Sequence, residues 1–193
     1  MSTPAYPVPV LLQLPHITDA RGGLTFVQTP PEGRNAEEAV PDSAKGQLCF
    51  PLARIFYLYD VPEGGTRGAH AHLTEQQILI AVAGAFDVEV YDGSNRRTYH
   101  LDRPDAGLYV PPHYWRELSN FTPGAVCLTL SSIPFDPDDY LGSPEEYAEF
   151  LASHRKKIIC RNADYSLNLH PQSHSGTCAH SSMDRITDSG SVD

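Results

Sequence analysis

The apolar residues of this chain fall in short runs, at 8–14, 24–28, 52–61, 77–83, 86–91, 97–101, 107–110 and 125–133. Most are too short for helices, and Gly, Pro, Asp or Asn separates many of them. That rhythm predicts an all-β chain, a sandwich or barrel of short strands. The clearest piece is "FDVEVYDGSNRRTYHL", where Phe86, Val88 and Val90 alternate with Asp87, Glu89 and Tyr91. Asp92-Gly93 then supplies a hairpin turn signal. One short helix is expected near the end. Ser143 as N-cap, Pro144 at N1 and Glu146 at N3 form a capping box. Tyr147, Phe150 and Leu151 make an apolar stripe, and Arg155, Lys156 and Lys157 suit the negative end of the helix dipole.

The chain of 193 residues is 40% hydrophobic, enough for one core. A net charge of -10 argues against wholesale binding of nucleic acid or an anionic membrane. An anionic small ligand would need a few local arginines. Cys49, Cys127, Cys160 and Cys178 have no CxxC spacing. With no signal peptide and no apolar run of the roughly 18 residues of a membrane span, a cytoplasmic protein with reduced thiols is expected. Residues 29–50 hold three prolines and little periodicity, and read as a long loop. Residues 161–193 are rich in Ser, Asp and His and almost lack large apolar groups, so burial there cannot offset ordering entropy. "HSSMDRITDSGSVD" also looks like the conceptual translation of a transfer-RNA gene, a gene-boundary artefact. The expected organisation is an N-terminal segment 1–15, one domain 16–158 and a disordered tail 159–193.

"RGAHAH", residues 67–72, raises the chemical question. In a strand His70 and His72 share a face, where they can hold a metal or move protons. Gly64, His70, His72, Gln77 and Gly84 are spaced as in the first signature of the cupin family, G-x5-HxH-x3–4-E-x6-G. Gly107, Pro111 and Asn120 fit the second signature, whose ligand histidine falls on Arg116. The resemblance implies a small antiparallel β-barrel (jelly roll) with its active site at the mouth. Two of the four family metal ligands are changed. Gln77 carries no charge, and Arg116 offers no lone pair. Two histidines alone make a poor catalytic metal site. No metal is therefore expected, and proton transfer or ligand binding is favoured over packed structural histidines.

Residues 54–84, with "DARGGL" (19–24), "GLYVPPHYWREL" (107–118) and "DPDDYL" (136–141), resemble one cupin branch in particular. These are the nucleotide-sugar 3,4-ketoisomerases, also described as WxcM-like or FdtA/QdtA-like. The resemblance implies a dimeric isomerase that uses no metal or redox cofactor. It would convert dTDP-4-keto-6-deoxyglucose to a 3-keto sugar through an enediol. Carried onto this chain, His70 is the base at C3, and His72 relays the proton or returns it at C4. Arg67 binds the diphosphate, Gln77 orients a histidine or bonds a sugar hydroxyl, and Arg116 lines the cavity. Strand parity selects Tyr57 and Tyr59 as a pair for the mouth, with core packing as their alternative. The chain departs from the branch in a longer loop at 29–50, in "HAHLTEQQ", and in "WRE" where many members have "WHE". A dTDP-sugar 3,5-epimerase, a sugar-nucleotide-binding module without turnover and a metal-dependent oxygenase are the competing readings.

Overall fold

A computed structural model of the chain describes residues 8–29 and 48–154. The expected tail and most of the expected loop 29–50 lie outside the described residues. The architecture is mostly antiparallel strand, as the alternating patterns require. One five-stranded sheet has the order β1 (Val10–Gln13), β9 (Ala106–Val110), β6 (Gln77–Ala83), β11 (Val126–Ser131), β4 (Arg54–Leu58). The other has the order β12 (Tyr140–Leu141), β5 (Arg67–His72), β10 (Trp115–Ser119), β7 (Phe86–Tyr91), β8 (Arg96–Leu101). β2 (His16–Asp19) and β3 (Gly22–Thr25) form a separate hairpin. β1 joins the first sheet through its pairing with β9, so Val10–Gln13 of the expected N-terminal segment is part of that sheet.

The main core lies between the two sheets. Leu79, Ala81, Leu108, Val110 and Cys127 of the first meet Phe86, Val88, Val90, Leu101 and Leu118 of the second. Burying these side chains contributes about 1.5–3 kcal/mol for each large one. A second cluster covers the outer face of the first sheet. There Leu48, Cys49 and Phe50 pack with Ile78, Ile80, Tyr109 and Leu130. The end of the expected loop is thus core, irregular in backbone but buried through its apolar side chains. Burial also pushes the Cys49 and Cys127 thiols up to about 12, which removes their nucleophilic thiolates at neutral pH.

The hairpin joining β7 to β8 forms as its sequence requires. Tyr91 pairs with Arg96, and the Asp92 carboxylate accepts from the Ser94 and Asn95 amides at 2.8 and 2.7 Å. A helix, α1, begins at residue 144 and runs at least to 154. Its capping box is reciprocal: the Glu146 amide donates to Ser143 Oγ at 3.1 Å, and the Ser143 amide to Glu146 Oε2 at 3.2 Å. Tyr147 anchors α1 against the second sheet, with its hydroxyl within hydrogen-bonding distance of the Tyr91 and His113 carbonyls. Among the described residues, no helix is long and apolar enough to cross a membrane.

Candidate active site

The register across the sheets decides which side chains face inward at one end of the core. Side chains on directly paired residues share a face. Gln77 pairs with Ser131, and Ser131 with Arg54. These three line one row of the first sheet. His70 pairs with Arg116 on the second. The row therefore faces the two histidines across the core.

A bulge sets the position of Arg67. Gly68 and Ala69 have φ of 84° and 54°, and the pairing skips Ala69: His70 lies opposite Arg116, Gly68 opposite Glu117, Arg67 opposite Leu118. Plain alternation from His70 would put Arg67 on the other face. The extra residue returns it to the face of His70, at the exposed end of β5. No carboxylate pairs with Arg67 among the described residues, so its guanidinium is available to an anion. Gly68 cannot readily be replaced. A Cβ there would lie 2.9 Å from the Arg116 carbonyl oxygen, in a left-handed conformation. Gly68→Ala is expected to lower stability by about 1–3 kcal/mol and to reduce turnover, since the Gly68 carbonyl holds His70. Urea denaturation and a rate assay check both effects.

The hydrogen-bond partners fix both imidazole tautomers. Gly68 O can only accept, so His70 Nδ1, 2.9 Å away, carries the proton. Arg116 can only donate, so His70 Nε2, 3.0 Å from Nη2, keeps its lone pair. His72 repeats the pattern. Its Nδ1 donates to Asp139 Oδ2 at 3.0 Å, and its Nε2 faces the Gln77 amide nitrogen at 3.5 Å. The Asp139 carboxylate also accepts from the Thr74 amide, the Thr74 hydroxyl and the Glu75 amide, at 2.7, 2.6 and 3.1 Å. So supplied with donors, the carboxylate is held in place and orients the ring. His70 is partly exposed, whereas His72 is buried.

Glu75 is the hub behind the histidines. Its Oε1 accepts from Arg54 at 2.8 Å, Gln77 at 2.6 Å and Ser131 at 2.5 Å. Its Oε2 lies 3.3 Å from His72 Nδ1. Gln77 is buried, bonded to Glu75 and within 3.5 Å of His72 Nε2. Tyr140 sits over the pair, its ring 4.9 Å from that of His70 and 4.4 Å from that of His72.

Burial and the Arg116 cation hold both imidazoles neutral. His70 is lowered to about 4, by burial first and then by Arg116. Burial, with Arg116, His70 and Arg54 adding to it, lowers His72 to about 2. The free protein therefore departs from the near-neutral base expected of an unperturbed histidine. The sign of the stability effect follows. Above about pH 6.5 both rings are neutral, folded or unfolded. Below that the unfolded chain binds protons that the folded one refuses, so stability falls with pH. The fall through the His70 window, from about 6.5 to about 4, should be shallower in His70→Asn. Urea midpoints at pH 7.5 and 5 measure it.

The metal reading can be tested on the donor set. Arg116 donates into the His70 lone pair that a metal would need. His72, Glu75 and Asp139 bring donor atoms within 4.8 Å of one another. However, Arg54 already neutralises Glu75, and Asp139 is committed to four donors. These residues do not fit a catalytic metal centre.

Tyr57 and Tyr59 are a correction. The structure places Arg54, Phe56 and Leu58 inward and both tyrosines outward, about 60% exposed, with their rings tilted against each other at 5.6 Å. Parity was right in pairing them but could not say which face is inner. Register could: Tyr57 lies opposite Leu128, on the outer side of the sheet. Arg54, Glu75, Ser131, Asp139 and Tyr140 were not singled out from the sequence. The first lies inside "RIFYLYD", the second inside "HLTEQQ", and the last two inside "DPDDYL". A buried-position argument for a charged residue in an apolar strand could have flagged Arg54.

Comparison with known proteins identifies the family. The family model described as "WxcM-like, C-terminal" (FdtA) matches residues 9–154, and the chain belongs to that family. A curated relative, TDP-4-oxo-6-deoxy-alpha-D-glucose-3,4-oxoisomerase of Aneurinibacillus thermoaerophilus, is 29% identical over 136 residues, 70% of this chain and 87% of that one. The WlaRB TDP-quinovose 3,4-ketoisomerase of Campylobacter jejuni is 33% identical, with a TM-score of 0.61 over 72% of this chain and 95% of its own. A histidine-to-asparagine variant of the 3,4-ketoisomerase QdtA from Thermoanaerobacterium thermosaccharolyticum, solved with TDP-4-keto-6-deoxyglucose, is 27% identical. Its TM-score is 0.63 over 73% of this chain and 91% of its own.

Proposed function

We propose that this chain is a TDP-sugar 3,4-ketoisomerase that acts on TDP-4-keto-6-deoxyglucose. The observation that carries the reading is His70, a neutral imidazole at the mouth. Its Nδ1 proton is fixed on Gly68, and its Nε2 lone pair lies beside a guanidinium. The C3 proton is acidic because it lies next to the C4 carbonyl. His70 Nε2 removes it, and Arg116 turns from the imidazole to the oxygen on which negative charge develops. His72, held by Asp139, relays the proton that is restored at C4. No redox cofactor enters this chemistry, because oxidation at C3 and reduction at C4 cancel. The epimerase reading has less support. Both reactions begin with the same proton, but the relatives above are ketoisomerases.

Arg67 is assigned to the diphosphate because it shares the His70 face and no carboxylate among the described residues claims it. Arg67→Ala is expected to raise KM more than it lowers kcat, by the about 1.5–3 kcal/mol of hydrogen bonds to charged groups. An unchanged KM would remove the assignment. The bound diphosphate also brings negative charge toward His70, which favours its protonated form. The acid limb of kcat should accordingly lie at higher pH than that of kcat/KM, which reports the free enzyme.

The assembly is proposed as a cytoplasmic homodimer. Ile55, Tyr57 and Tyr59 expose an apolar stripe on β4, the last strand of its sheet. Paired with a second copy, that stripe would be covered, which gives the two tyrosines a role away from the chemistry.

A further inference from the structure

Moving hydrogen between two carbons is only half of the reaction. The sugar begins as a C3 alcohol beside a C4 ketone and ends as a C3 ketone beside a C4 alcohol. A proton must therefore also pass from the C3 oxygen to the C4 oxygen. His70, engaged with the carbon-bound proton, cannot hold this second proton at the same moment. His72 is buried, and its Nδ1 proton is committed to Asp139. Gln77 carries no group that gives up and takes back a proton at neutral pH, and neither do the arginines.

We propose that Tyr140 is a catalytic residue whose hydroxyl carries the proton between the two sugar oxygens. The proposal rests on the ketoisomerase reading of the site. Tyr140 is partly exposed, so a ligand at the mouth can reach it. It pairs with His72 across β12 and β5 and contacts both imidazole rings. Its hydroxyl interacts with the Arg54 guanidinium, and the Arg116 charge also acts on it. Arg54, itself paired with Glu75, places positive charge near the hydroxyl, where it can balance negative charge while the proton is away.

The steps balance. As His70 takes the C3 proton, the C–H electron pair becomes the C3–C4 double bond, and the carbonyl pair moves to the C4 oxygen. Tyr140 gives its proton to that oxygen, leaving an enediol and a phenolate beside Arg54. The phenolate then takes the proton of the C3 hydroxyl. The freed pair forms the C3 carbonyl, and the double-bond pair collects a proton at C4 through the histidines. Tyrosine and histidines end as they began.

Tyr140→Phe tests this, because it keeps the ring between the imidazoles and removes only the hydroxyl. Wild type and variant are incubated with TDP-4-keto-6-deoxyglucose in deuterium oxide, and proton NMR follows two signals. One is the 3-keto product. The other is loss of the C3 proton from unreacted substrate. The expected result is a fall of about 10²-fold or more in product formation, with C3 exchange falling much less, so that exchange outruns turnover. The thermal midpoint should stay near that of wild type. Turnover near wild type would overturn the proposal, as would equal falls in exchange and turnover, the mark of a purely positioning role. Absence of product from the wild type would instead overturn the ketoisomerase reading, and Tyr140 with it.

Discussion

Replacement of His70 by asparagine is expected to lower kcat about 10²–10⁴-fold, the range for loss of a general base. Substrate affinity should change little, because the diphosphate contact is assigned to Arg67. Asparagine can keep the bond to the Gly68 carbonyl, but it does not reach the position of Nε2. Arg116 then loses the acceptor now 3.0 Å away. A buried guanidinium that lacks a partner costs stability, so part of any rate loss could be misread as unfolding. His70→Gln separates the two, because its Oε1 can accept from Arg116 while still being unable to take a carbon-bound proton at neutral pH. Both variants should be equally poor catalysts, with the glutamine variant the more stable. Near-normal turnover in either would remove His70 from the chemistry.

The largest stability effect is expected at Glu75, the buried hub behind the histidines. Its carboxylate is 2% exposed and accepts from Arg54, Gln77 and Ser131. Glu75→Ala leaves all three donors facing a void, one of them the partly buried Arg54 cation, which loses its carboxylate partner. Breaking a buried pair by removing one partner costs about 3–5 kcal/mol. That is a large share of the about 5–15 kcal/mol that a typical domain has. Glu75→Gln should cost less, since its amide oxygen still accepts, although the Arg54 charge remains uncompensated. Urea unfolding of the three proteins gives the ranking. A stability for Glu75→Ala within about 1 kcal/mol of wild type would mean that the cluster is solvated or rearranges freely.

What the sequence made legible was whatever is written locally. Alternation in "FDVEVY" and the Asp92-Gly93 turn gave a hairpin, and Ser143 with Glu146 gave a helix start, because each signal and its structure lie within a few residues. The histidine pair and Arg116 were reached through signature spacing, and the structure brings all three together. Failures came where meaning depends on a distant strand. Whether Tyr57 or Phe56 faces inward is set by the register of β4 against β11, some seventy residues on. Glu75 looks like an ordinary polar residue in a turn until Arg54 and Ser131 arrive from two other strands. Arg67 was expected beside His70, although simple alternation would have sent it to the other face. The bulge at Ala69 corrects this, and only the pairing reveals it. The imidazole pKa shifts were illegible for the same reason, since Arg116 stands 46 positions from His70 in sequence.

The central claim is that the histidine pair moves a proton from C3 to C4 of a 4-keto sugar. The most direct measurement is to incubate the wild-type protein with TDP-4-keto-6-deoxyglucose in deuterium oxide and locate the deuterium in the product by NMR. His70 is partly exposed, so the proton it takes exchanges with solvent before one is restored, which gives a 3-keto sugar with deuterium at C4 and unchanged configuration at C5. Deuterium at C5 with inversion there, or bound substrate recovered without any exchange, would contradict it.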